Sequence, residues 1–190
     1  MIDREEALGL LAGHGVKAGL LQHSLASESV MRGLAERFGE DQAVWAMAGL
    51  LHDIDYPATE ADPSRHGLEG AKLLEGQLPE EALHAIRAHN GEMNGTAVET
   101  LFDRALRCGE TVTGLVTAAA LVRPTGIEGM EVKSLKKKLK DKAFAAGVNR
   151  EVVKSCTDMG LTLEEFLGLA IDAMARDAQA LGLLKAPKAP

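Results

Sequence analysis

Apolar residues recur at three- and four-residue steps along most of this chain, the signature of helices with one buried face. The clearest run covers residues 17–38, where Leu20, Leu21, Leu25, Val30, Met31, Leu34 and Phe38 share a stripe that includes His23 and stops at Gly39. Ahead of it, Asp3 is placed to cap a short helix that ends near the Gly13-His14-Gly15 turn. After it, Asp41 can cap a helix whose stripe of Val44, Met47, Leu50 and Leu51, with Trp45 nearby, delivers His52 and Asp53 at its end, and Pro57 closes that element. Residues 55–65, with Pro57, Thr59 and Pro63, read as a loop, because a proline disfavours helix at the residue before it. His66 then opens a helix over about 67–75, and another spans 79–89, with Pro79 at its first position and two glutamates in its first turn. The Asn90-Gly91 pair ends it.

The pattern predicts two further helices over 96–107 and 110–122. The β-branched residues of TVTGLVTAAALV leave a strand open for the second, but Val112, Leu115, Val116, Ala119 and Val122 keep helical spacing. Pro124, Gly126 and Gly129 form the best internal boundary, after which comes the basic run EVKSLKKKLKDK. Two helices follow, one over about 149–159 and one starting at Thr162, where Glu165 completes a capping box. The expectation is a helical domain over 1–125, a helical extension packed on it over 126–185, and a flexible Pro-rich tail over 186–190. No internal repeat is present.

Composition sharpens this picture. The chain is 46% hydrophobic but only 3% aromatic, and Ala and Leu dominate the apolar content, so an all-α protein is expected. The net charge of -7 argues against a nucleic-acid or anionic-membrane partner, which would need an excess of Lys and Arg. No apolar run approaches the ~18 residues that cross a bilayer. Cys108 and Cys156 are too few for a disulfide framework, and the acidic start MIDREEALGLLAG is not a targeting peptide, so the expected compartment is the cytoplasm.

The chemistry is carried by histidine and carboxylate: His23 within a long helix, His52 beside Asp53 at the end of the next, His66 at a helix start and His89 at a helix end. An aspartate at a helix C-terminus opposes the macrodipole, which suggests that a cation compensates it. Imidazole and carboxylate together hold Fe, Mn, Co, Ni or Zn, and an open position on such an ion activates water or grips a phosphoryl oxygen. The bland alternative for His23 is a core histidine bonded to a carbonyl. For His66 and His89 it is a residue of a helix terminus. His14 reads as a turn residue and His84, roughly 140° around the helix from His89, as solvent-facing.

The arrangement H...HD...HG...HN over about residues 17–123 resembles the HD superfamily of metal-dependent phosphohydrolases. The wording AGLLHDIDYP, RHGLEGAKLL, AIRAHN, TGLVTAAALVRP and EVKSLKKKLKDKAFAAGVNRE is similar to a bacterial and archaeal branch of predicted HD-type hydrolases. The resemblance implies an HD-type helical bundle with His23, His52 and Asp53 as ligands of a first ion, and His52 and Asp53 as the catalytic doublet. Where relatives carry an aspartate ahead of the TG step, CGETVTG offers Glu110, with Asp103 in reserve. His66 and His89 match the extra histidines of two-metal members, in which the doublet aspartate bridges the ions. The implied cofactor is one or two divalent transition-metal ions, and the implied substrate a small phosphorylated molecule, nucleotides included. The alternatives are a di-iron oxygenase and a non-catalytic ligand-binding module. Lys133, Lys137 and Lys140 recur at helical spacing and could close over an anionic substrate, although a solvated face is the commoner use of such a run. The Ala- and Gly-rich C-terminal helices would also suit a homo-oligomer.

Overall fold

The computed structural model describes residues 1–185; the tail expected at 186–190 lies outside the described residues. Among the described residues all regular structure is helical. In order these are α1 (Arg4–Gly13), α2 (Ala18–Phe38), α3 (Gln42–Leu51), α4 (Tyr56–Thr59), α5 (Leu68–Leu73), α6 (Glu80–His89), α7 (Gly91–Asn94), α8 (Leu101–Leu121), α9 (Val132–Lys140), α10 (Arg150–Lys154), a 3-10 turn (Ser155–Met159) and α11 (Leu163–Arg176). Asp3, Asp41, Asn149 and Thr162 each accept backbone amides at a helix start, with reciprocal capping boxes at Asp3 and Thr162.

The long helices α2 and α8 form the centre. α3 and α8 pack on α2, while α6, α9, α10 and α11 pack on α8. Close approach to α2 depends on two glycines. A Cβ at Gly49 would come within 2.6 Å of the Ser27 carbonyl oxygen and 2.8 Å of Met31 Cγ, and one at Gly109 within 3.1 Å of Met31 Sδ. Met31 is thus gripped from both sides, and the helices carrying His23, His52 and Glu110 are drawn together. Trp45 stacks on Phe102 at 4.6 Å, joining α3 to the start of α8.

Three expectations about the helices need correction. The helices predicted over 96–107 and 110–122 are one continuous helix, α8. The cost of a mid-helix glycine, about 1 kcal/mol, is offset where Gly109 lets α8 pack against α2. Residues 96–100 are not helical, because Thr100 and Asp103 make a capping box that starts α8 there. Pro57 does not close α3: it lies in the first turn of α4, where a missing N–H costs nothing. The core is continuous across residue 125, since Ile127, Leu135, Val153, Phe166 and Met174 join the same cluster as Val30, Leu50 and Leu115. Among the described residues no helix is long and apolar enough to cross a membrane.

Candidate metal centre

His23 sits on α2, one turn into its buried stripe, and His52 and Asp53 follow the last turn of α3. His66 precedes α5, held by Asn90 and Asn94 amides that donate to its carbonyl, and His89 ends α6. These residues converge on Asp53. Its Oδ1 lies 3.3 Å from His52 Nε2, 3.2 Å from His66 Nε2 and 3.5 Å from His89 Nε2, while Oδ2 lies 3.6 Å from His23 Nε2. Two groups therefore share one carboxylate: His23, His52 and Asp53, and Asp53, His66 and His89, each with ligand atoms within 4.8 Å of one another.

Each imidazole has its Nδ1 committed elsewhere. His52 Nδ1–H donates to the Gly49 carbonyl at 2.9 Å, His89 Nδ1–H to the Ile86 carbonyl, and His66 Nδ1–H to Asp55 Oδ1 at 2.8 Å. The Thr113 hydroxyl donates to the Glu110 carbonyl at 2.6 Å, so its oxygen is left to accept His23 Nδ1–H at 3.1 Å. As neutral rings the four therefore present Nε2 lone pairs inward, and these face one another in pairs: His23 to His52 at 3.1 Å and His66 to His89 at 3.0 Å. Two lone pairs at that separation repel unless a cation lies between or beside them. A donor set of neutral imidazoles around a carboxylate, each fixed by an outer hydrogen bond, suits a divalent transition metal.

The electrostatics carry the same demand. Burial opposes charge on Asp53, yet the adjacent imidazoles of His52, His66 and His89 hold its carboxyl well below the usual carboxylate range. Burial also opposes charge on His66, but its bonds to Asp53 and Asp55 raise it to about 9. Burial and neighbouring imidazoles push His23 and His89 down, while His52 is raised by Asp53 against its own burial. One member of each facing pair is thus raised and the other lowered, and a metal that takes the Nε2 lone pairs competes with protons for them.

The centre opens at one edge. Side-chain exposure falls from 26% at His23 and 19% at Glu110 to 11% at Asp53 and 1% at His52. Glu110 stands at this edge, its Oε2 3.7 Å from His23 Nε2, and belongs to neither group of converging ligand atoms. Burial pushes its carboxyl up, and the Thr111 hydroxyl donates to its other oxygen. Asp103, the reserve carboxylate, is elsewhere: buried, it accepts the Glu99 and Thr100 amides at 2.9 and 2.8 Å and His84 Nδ1–H at 3.0 Å. His84 is therefore half-buried against Asp103 rather than solvent-facing. Lys133, Lys137 and Lys140 are exposed on α9 and line neither cavity that opens on His23. Cys108 and Cys156 are buried free thiols, and burial pushes both up to about 11.

Two residues of the centre escaped the sequence reading. Asp55 anchors His66 and accepts the amides of Gly67 and Gly70 at 2.9 and 2.7 Å. Its signal was the second aspartate of HDID, two residues after the first. Thr113 orients His23 from the TG step itself. Comparison with known families finds that the model described as HD domain matches residues 20–142, well over half of the chain. No solved structure matches it.

Proposed function

This chain belongs to the HD-domain family, in the superfamily of metal-dependent phosphohydrolases, and on that premise we propose that it hydrolyses a small phosphorylated molecule at a centre where His23, His52, Asp53, His66 and His89 would hold two divalent ions. The observation that carries the proposal is the pair of facing Nε2 lone pairs, each imidazole fixed from behind and both pairs sharing one carboxylate. When bound, such ions act as Lewis acids that lower the pKa of water and offset charge on phosphoryl oxygens. The chain's own residues supply the rest. His23 and His52 would hold one ion and His66 and His89 the other, with Asp53 common to both sets. Thr113, Asp55 and the carbonyls of Gly49 and Ile86 keep the rings turned so that no ligand has to reorient. Glu110, with Oε2 3.7 Å from His23 Nε2, would complete the first set from the open edge, where substrate would enter.

The test is elemental analysis of protein purified without chelator, with phosphatase assays on the same samples. About one to two transition-metal ions per chain are expected in the wild type, with loss of metal and turnover in Asp53→Ala and reduced content in Glu110→Ala. A wild type that stays metal-free after reconstitution overturns the proposal. Mixed-valence iron with oxygen uptake would instead move the centre to oxygen chemistry.

A further inference from the structure

Two cavities meet at the open edge of the centre. One, of about 560 Å³, runs from His23, Glu110 and Thr111 to the loop 145–149; the other, of about 240 Å³, continues past Gly19, Gln22 and Thr117 to Leu121 and Leu181. They share His23, Gly114 and Ala118, so they adjoin as one cleft along α2 and α8. Its size is that of a small-molecule site.

The charge of this cleft is informative. Among the described residues no Lys or Arg lines either cavity, and the one carboxylate that does, Glu110, is of the wrong sign for an anion. Several cations of the neighbouring elements are committed elsewhere, and Lys142, exposed in the loop 141–149, lines neither cavity. Arg150 stands behind the loop 141–149, and its guanidinium donates to the carbonyls of Asp141 at 3.0 Å, Val148 at 2.7 Å, Ala145 at 3.3 Å, and Phe144. That side chain therefore builds the cleft wall instead of facing into it. Arg104 and Arg107 line a separate recess, where Arg107 pairs with Glu92 and Arg104 donates to the carbonyls of Glu99 and Thr100. Lys138 lies over the Phe144 ring at 4.1 Å, and Lys136 pairs with Glu164.

A polyanion needs a cation for each extra charge withdrawn from water, and this cleft supplies none beyond the metal centre. We infer that the substrate carries a single phosphoryl group, gripped at the centre, on an uncharged and largely apolar body that lies along Gly114 and Ala118. The inference rests on the proposed metal centre. It excludes nucleoside triphosphates and sugar bisphosphates as good substrates.

The test measures binding by calorimetry to the Mn²⁺-loaded full chain, with inorganic phosphate, phenylphosphonate and 4-carboxyphenylphosphonate as probes. Phenylphosphonate is expected to bind about tenfold tighter than phosphate, by burial of the ring. The added carboxylate should cancel that gain. Ala118→Leu, on a half-buried helical position, should remove the gain from the ring while leaving phosphate binding intact. Ala118→Lys should reverse the order of the two phosphonates. A 4-carboxyphenylphosphonate affinity equal to or above that of phenylphosphonate in the wild type, or a ring that adds nothing over phosphate, overturns this inference alone. Failure of phosphate to bind the metal-loaded chain takes down the metal centre's proposed role with it.

Discussion

Two buried carboxylates on neighbouring elements answer the cost of burial in different ways. Glu28 on α2, 4% exposed, accepts two hydrogen bonds from Arg4 at 2.8 and 2.9 Å and one from Arg32 at 2.7 Å. Asp53, 7% exposed just beyond α3, is surrounded by four imidazoles. The partners of Glu28 are permanent cations that the chain itself provides, so that pair is complete and serves the fold. The partners of Asp53 are imidazoles, which as neutral rings direct Nε2 lone pairs at one another, so that constellation is complete only when a cation is added. The chemistry of the surrounding groups, rather than the depth of burial, separates a structural acid from a functional one.

The comparison breaks most visibly in thermal melts with and without Mn²⁺. An ion present at about a thousand times its Kd stabilises the wild type by about 4 kcal/mol, roughly 10 °C for a chain of this size. Asp53→Asn should show no metal-dependent shift. Glu28→Gln should keep the full shift while its melting curves, with metal and without, fall by about 2 kcal/mol. That is less than the usual cost of breaking a buried pair, because the Arg4 and Arg32 side chains are 52% and 39% exposed. A Glu28→Gln protein that no longer responds to metal would erase the distinction.

The distinction sharpens at the residues that turn the rings. Thr113→Val removes the acceptor for His23 Nδ1–H without emptying the space Thr113 fills, so His23 can adopt the other tautomer and offer Nε2–H to the ion. Competition against a chromophoric chelator should report about tenfold weaker binding at one ion and an unchanged second. Weakening of both by the same factor would mean that the two groups are not separate sites.

Much of this was legible in the residues. Periodicity located α2 and α3, and cap residues such as Asp3 and Thr162, which located α1 and the start of α11, are local signals that neighbours rarely override. The histidines could be named because of where they fall on helices. Their pairing could not be read, because it depends on backbone acceptors, the carbonyls of Gly49 and Ile86, that no side-chain pattern encodes. The continuity of α8 was hidden for a related reason: Gly109 weakens a helix locally, and its compensation comes from Met31 and Leu34 on another element. His84 and Asp103, nineteen residues apart, meet only once α6 packs on α8.

That last pair yields the smallest effect and a clean pH signature. Burial opposes charge on Asp103, yet the Thr100 and Glu99 amides and His84 together hold its carboxyl below its ordinary value. A carboxyl depressed in the folded state contributes stability above its unfolded pKa, about 4, and loses it as pH falls through the folded value. Asp103→Asn should therefore cost about 1 kcal/mol in urea unfolding at pH 7, the usual worth of a helix cap. The difference from wild type should narrow once the pH falls below about 4. Metal content should be unchanged, since this carboxylate is committed to the start of α8 and to His84. A variant that loses metal, or whose deficit grows in acid, would return Asp103 to the candidates for the centre.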